Sequence, residues 1–127
     1  MPETKKQFAI EFKRRQYKFT LRLIEFLDQL PHDSLCHRIG DQLLRSGTSI
    51  VGNYVEGQAA SSKRDYQNYL NIALKSANET KLWLALLRDS KRAKAENVKA
   101  LLNEATEIAK ILAASILTLK GKRTINN

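Results

Sequence analysis

Three groups of side chains in this 127-residue chain are of types that do chemistry. The first lies in RSGTSIVGNYVEG, residues 45–57, where Arg45, Ser49, Asn53 and Glu56 recur at steps of four, four and three and so share one helical face. Glu56 could face Glu79, or Asp65, and two carboxylates whose environments split their pKa values can perform acid–base work. The same residues, with Ser76 and Glu79, equally suit a structural polar network, because polar groups inside a helical bundle must be satisfied by neighbours.

The second group is His32, Cys36 and His37. It amounts to half a metal site, since zinc takes about three or four ligands and the chain has no further Cys or His. A cysteine nucleophile needs a base oriented across the fold, and these histidines are local. A small buried thiol between surface histidines fits better. The expectation is a non-enzyme with no catalytic residue, no metal and no cofactor.

The third group is basic. Lys13, Arg14, Lys18 and Arg22 lie on adjacent rows of one helix with few acidic residues among them, and Tyr17 is interleaved where it could stack on a base or cover the bundle's flank. Arg88, Lys91 and Arg92 form a second patch in a short turn. Both can contact successive phosphates, and no base-reading module accompanies them, so binding would follow phosphate and shape. The net charge of +9 agrees. An excess of this size favours nucleic acid first, an anionic membrane surface second and an acidic protein third.

The elements that must position these groups are helices. Prolines occur only at positions 2 and 31, strand alternation is nowhere evident, and apolar residues recur at three and four. The spacing predicts helices at about 3–30, 34–57, 62–89 and 95–120, with a basic tail at 121–127, in one domain spanning 1–127. In the first, Phe8, Phe12, Phe19, Leu23, Phe26, Leu27 and Leu30 form the inward stripe, with Arg15 filling the turn between Phe12 and Phe19. Pro31 ends it. Asp33 or Ser34 caps the second helix, whose inward line is Leu35, Ile39, Leu43, Ser46, Ile50 and Tyr54. A second apolar line, Leu44, Val51 and Val55, suggests that this helix also meets a neighbouring subunit or lies central in the bundle. Gly47 and Gly52 suggest close approach of another backbone, at the depth of Ala73, Ser76 and Ala77. Ser62 and Asp65 read as a capping box. Tyr66, Tyr69, Leu70, Ala73, Ala77, Thr80, Leu84 and Leu87 form the third core line. The run from Ile111 to Leu117 is expected to be heavily buried. Four long helices with short connections give an all-α, antiparallel up-down-up-down four-helix bundle. One cysteine and no apolar span of ~20 residues give a cytoplasmic protein that does not cross a membrane.

The motif RSGTSIVGNYVEG, preceded by Leu30-Pro31 and Gln42-Leu43-Leu44, resembles the signature of the small four-helix bundle protein family. The resemblance continues through YQNYLNIALKSANE, residues 66–79, and Trp83-Leu84. That family includes proteins encoded in ribosomal RNA intervening sequences and the accessory variability determinants of diversity-generating retroelements. The resemblance implies a ring-like homopentamer with basic surfaces. For the retroelement members it also implies binding to RNA or DNA and to a reverse transcriptase during mutagenic cDNA synthesis. The function expected is therefore an RNA- or RNA–DNA-binding accessory protein with a reverse transcriptase partner. The alternative is a self-assembling scaffold encoded in a ribosomal RNA intervening sequence.

Overall fold

Four helices fill the part of the chain that the computed structural model describes, residues 4–121: α1 (Lys5–Asp28), α2 (Ser34–Gln58), α3 (Lys63–Asp89) and α4 (Ala95–Leu119). No strand occurs among the described residues. Residues 122–127, most of the expected basic tail, lie outside them, as does the expected helix start at Glu3.

Side chains set most of the boundaries. The Thr4 hydroxyl accepts from the Gln7 N–H at 3.0 Å and the Gln7 side chain accepts back from the Thr4 N–H at 3.1 Å, so α1 begins at Lys5 with a reciprocal cap. It ends two residues short of the expected Leu30, because Pro31 disfavours helical backbone for the residue before it. Asp33 caps α2 by accepting the Cys36 N–H at 2.8 Å, and that bond holds its carboxyl below the ordinary range. Ser62 caps α3 by accepting the Asp65 N–H at 3.1 Å. The return bond from Asp65 that a full capping box requires is not made among the described residues, so only half of that expectation holds.

The end of α3 is closed by its backbone. The Arg92 N–H donates to the Leu87 carbonyl at 2.9 Å and the Lys91 N–H to the Arg88 carbonyl at 3.0 Å, the paired bonds of a Schellman turn. Such a turn requires a left-handed residue, and here it is Lys91 at φ 63 rather than a glycine. Gly121, at φ 75, ends α4 with the residue type that conformation favours.

Contacts run in a ring, α1 to α2 to α3 to α4 and back to α1, with none across the diagonals among the described residues, as a four-helix bundle requires. The α2–α3 seam is the most extensive and the α1–α4 seam the least. Phe19, Leu23, Leu43, Ile50, Leu70, Leu84, Ile108 and Leu112 are sealed in the centre. Each such side chain contributes about 1.5–3 kcal/mol by leaving water.

Several inward positions differ from the expected stripes. Gln16, not Arg15, fills the turn between Phe12 and Phe19, at 1% exposure. Arg15 turns outward and grips Glu104 of α4 with two bonds, at 2.7 and 2.9 Å. Cys36 takes the inward place expected for Leu35, which is exposed, as is Phe8. Tyr66 and Tyr69 are half-buried rather than core, because they flank Gly57 at the edge of the α2–α3 seam. In the run from Ile111 to Leu117 only Leu112 and Ile116 are sealed, since no element covers the outer face of α4.

The glycines of α2 also depart from expectation. A Cβ on Gly47 would lie 2.1 Å from Leu23 Cδ2, so its close neighbour is α1, not the small residues of α3. At Gly52 a Cβ would have nothing within 4 Å, so no other described element lies close to it.

Candidate nucleic-acid interface

On α1, the inward face of Phe12, Gln16, Phe19 and Leu23 forces Lys13, Arg14, Lys18 and Arg22 outward, and all four are exposed. None makes an ion pair or hydrogen bond among the described residues. They are cations whose charge the protomer leaves uncompensated. The second patch differs. Arg88 is half-buried and donates to Asp89 at 2.8 Å, while Arg92 donates to the Ser90 carbonyl at 3.2 Å. Lys91 is exposed at the left-handed turn. This patch is partly neutralised, whereas the ridge on α1 is not.

Tyr17 stands among the ridge residues at 60% exposure. It belongs to a stripe that the sequence reading missed: Ile10, Tyr17, Leu21 and Ile24 recur at steps of seven, four and three and are all exposed. Charged neighbours between them hide the spacing, and its signal is that α1 carries apolar residues on more faces than one core stripe uses. Across the α1–α2 seam, Leu44 and Val55 are exposed and Val51 is half-buried. A hollow of about 230 Å³ brings Leu27 of α1 and Leu30 of the following turn up to Gly40 and Leu44. Ile24 is one turn from Leu27, so the α1 stripe and the second apolar line of α2 flank the same seam.

The polar residues of residues 45–57 are dispersed among separate contacts. Arg45 ion-pairs with Glu79 across the α2–α3 seam, and the Trp83 indole N–H donates to the same carboxylate at 3.3 Å. Asn53 donates to the Ser49 hydroxyl at 2.9 Å, and Ser76 donates to that hydroxyl at 2.8 Å. Deeper in the seam, the Ser46 and Thr80 hydroxyls meet at 2.8 Å, a buried pair visible beforehand only as two hydroxyls on the inward lines of successive helices. Glu56 stands apart: it is exposed and its carboxylate makes no hydrogen bond or ion pair among the described residues. With Glu79 held by Arg45 and Glu56 pointing to solvent, no carboxylate pair with split environments is assembled here.

Cys36 is buried, and that burial, with Asp33 beside it, pushes the thiol above its ordinary value and away from the thiolate a nucleophile needs. His32 and His37 stack edge to face at 6.1 Å. No group of three metal-ligating side chains is gathered among the described residues, and no helix there is long and apolar enough to cross a membrane.

The profile of the 23S rRNA-intervening sequence protein family matches residues 9–114. The chain is also similar to a protein of unknown function from the S23 ribosomal protein family of Bacteroides thetaiotaomicron, known from a crystal structure at 1.70 Å resolution. The two share 37% identity and a TM-score of 0.80, over 85% of this chain and 96% of that one. No curated protein matches the chain.

Proposed function

The chain belongs to the family of 23S rRNA-intervening sequence proteins, and from that premise we propose a non-enzymatic, self-assembling scaffold whose α1 ridge grips the phosphates of structured RNA. The observation that carries the proposal is the exposed, unpaired set Lys13, Arg14, Lys18 and Arg22 on a chain of net charge +9. The family's name refers to intervening sequences of 23S rRNA, and structured RNA is the polyanion this reading adopts. Arg88, Lys91 and Arg92 extend the surface. Of the two branches joined by the resemblance, the matched family favours the intervening-sequence one over a retroelement accessory with a reverse transcriptase partner.

Assembly completes the reading. Antiparallel up-down-up-down protomers join in a ring-like homopentamer through Leu44, Val51 and Val55, with Ile10, Tyr17, Leu21 and Ile24 adjoining. Gly52, open in the protomer, is then the point where a neighbouring backbone comes close. Repetition of the ridge around a ring multiplies weak phosphate contacts into avidity.

Fluorescence anisotropy with a structured RNA at rising salt tests the proposal. The wild type binds at low salt, and the triple charge reversal Arg14→Glu, Lys18→Glu, Arg22→Glu lowers the slope of log affinity against log salt by about 3. Light scattering on the same samples gives five protomers, reduced by Leu44→Glu with Val55→Glu. Equal affinity and slope for wild type and charge-reversed protein would dispose of the ridge as the RNA site.

A further inference from the structure

At the end of the bundle where α1 and α3 begin and α2 and α4 finish, the four helices line a partly open cavity of about 890 Å³. That volume falls within the roughly 300–1,000 Å³ of small-ligand sites. Phe8, Tyr54 and Tyr66 give it three aromatic walls, and Lys5 and Lys63 stand in its lining with no carboxylate among the described residues. We propose that this cavity binds a nucleotide, with the base against the rings and the phosphate at Lys63, Lys5 and the first turn of α3. The site goes beyond the RNA ridge and does not depend on it.

Tyr54 is the residue that points to a ligand. It is 2% exposed, its ring held edge to face against Phe12 at 5.0 Å, yet its hydroxyl has no hydrogen-bond partner among the described residues. The only side-chain atoms there that are both unpartnered and sealed from solvent belong to Gln16. The Tyr54 hydroxyl therefore keeps an opening, and the opening its ring lines is this cavity. Burial, and then Tyr66, push its phenol above the ordinary value, so it remains protonated and able to donate at neutral pH. A ring nitrogen or carbonyl of a base entering the cavity would accept from that hydroxyl in place of solvent.

The aromatic wall is pre-organised. Tyr66 lies flush on Gly57, where a Cβ would come within 3.1 Å of its ring, and the Gln58 amide donates to its hydroxyl at 3.1 Å. The anionic end has its own receptors. Ser62 satisfies the Asp65 N–H, which leaves the earlier N–H groups of α3 for an outside acceptor, beside Lys63. The start of α1 presents the same arrangement next to Lys5, with Thr4 capping Gln7. Rings with one buried hydroxyl call for a planar heteroaromatic group; two lysines and two helix starts call for a phosphate. A free mononucleotide and an unpaired nucleotide of an RNA strand share that chemistry.

Calorimetric titration of the full-length protein with AMP, GMP, CMP, UMP and adenosine, beside anisotropy with overhang and blunt duplex RNA, tests it. For a free nucleotide, at least one monophosphate binds, and AMP binds about tenfold tighter than adenosine because its phosphate gains charge-assisted bonds. Lys63→Glu abolishes that preference, and Tyr54→Phe, which keeps the ring, weakens binding about threefold or more. For a strand nucleotide, monophosphates fail at millimolar concentration, but both variants weaken overhang RNA and leave blunt duplex unchanged. The ridge variant with Arg14, Lys18 and Arg22 reversed keeps monophosphate binding, which separates this site from the RNA proposal. The proposal is overturned if no monophosphate binds and neither variant distinguishes overhang from blunt RNA. Equal binding of AMP and adenosine would overturn it too.

Discussion

Gln16 occupies a core position whose surroundings suit an apolar side chain. It is 1% exposed, and both its amide oxygen and nitrogen lack partners among the described residues. An unsatisfied buried polar group costs about 1–3 kcal/mol. Gln16→Leu should therefore raise the unfolding free energy by about 1–3 kcal/mol in urea denaturation and leave RNA affinity unchanged. A loss of stability would mean that the amide has a partner in solution. The sequence could not place this residue. From Phe12 to Phe19 an inward stripe passes through either position 15 or position 16, and both are polar. Glu104, far along the chain, decides by drawing Arg15 outward to the α1–α4 seam. A distant partner of that kind leaves no mark on local spacing.

At the level of the helices, the two glycines of α2 separate a packing role from an open one. Gly47→Ala drives a methyl into Leu23, which is fully buried and cannot swing away into solvent. Overpacking of that kind costs about 1–3 kcal/mol, more than the roughly 1 kcal/mol of helix propensity that alanine restores. Gly52→Ala meets nothing and should stabilise the protomer by up to about 1 kcal/mol. Thermal unfolding of the two variants in the Leu44→Glu, Val55→Glu background, where no neighbouring subunit meets Gly52, should give shifts of opposite sign; shifts of the same sign would contradict this reading of the α1–α2 seam. The helices themselves were legible from spacing, and so were Ser62 as a cap and Asp33 as one of two candidates, because a cap is a local bond. Which glycine meets which helix was not legible, since the two sit in the same apolar context and differ only by their angle around α2. The polar motif was legible in part for the same reason. Arg45 reaches Glu79, whereas Glu56, one step further round, faces water.

The whole molecule places its strongest charge on its least-held element. The helices α2 and α3 share the widest seam, while α1 is joined more narrowly to α2 and most narrowly to α4, where the Arg15–Glu104 pair spans the gap. An exposed pair of that kind contributes about 0–1 kcal/mol, too little to anchor a helix alone. Local opening follows such differences in packing, and its free energy runs from near zero up to that of global unfolding. Hydrogen–deuterium exchange should accordingly find the amides of α1 the fastest of the four helices and those around the Ser46–Thr80 contact the slowest. A uniform rate across the helices would show that the bundle opens only as one unit. The unequal seams carry a consequence for timing. If phosphates clasp Arg14, Lys18 and Arg22 along one side of α1, they brace the helix that breathes most often. RNA should then slow exchange in α1 by a larger factor than in α3, so that the protein's own fluctuation clock reports on whether the strand is bound.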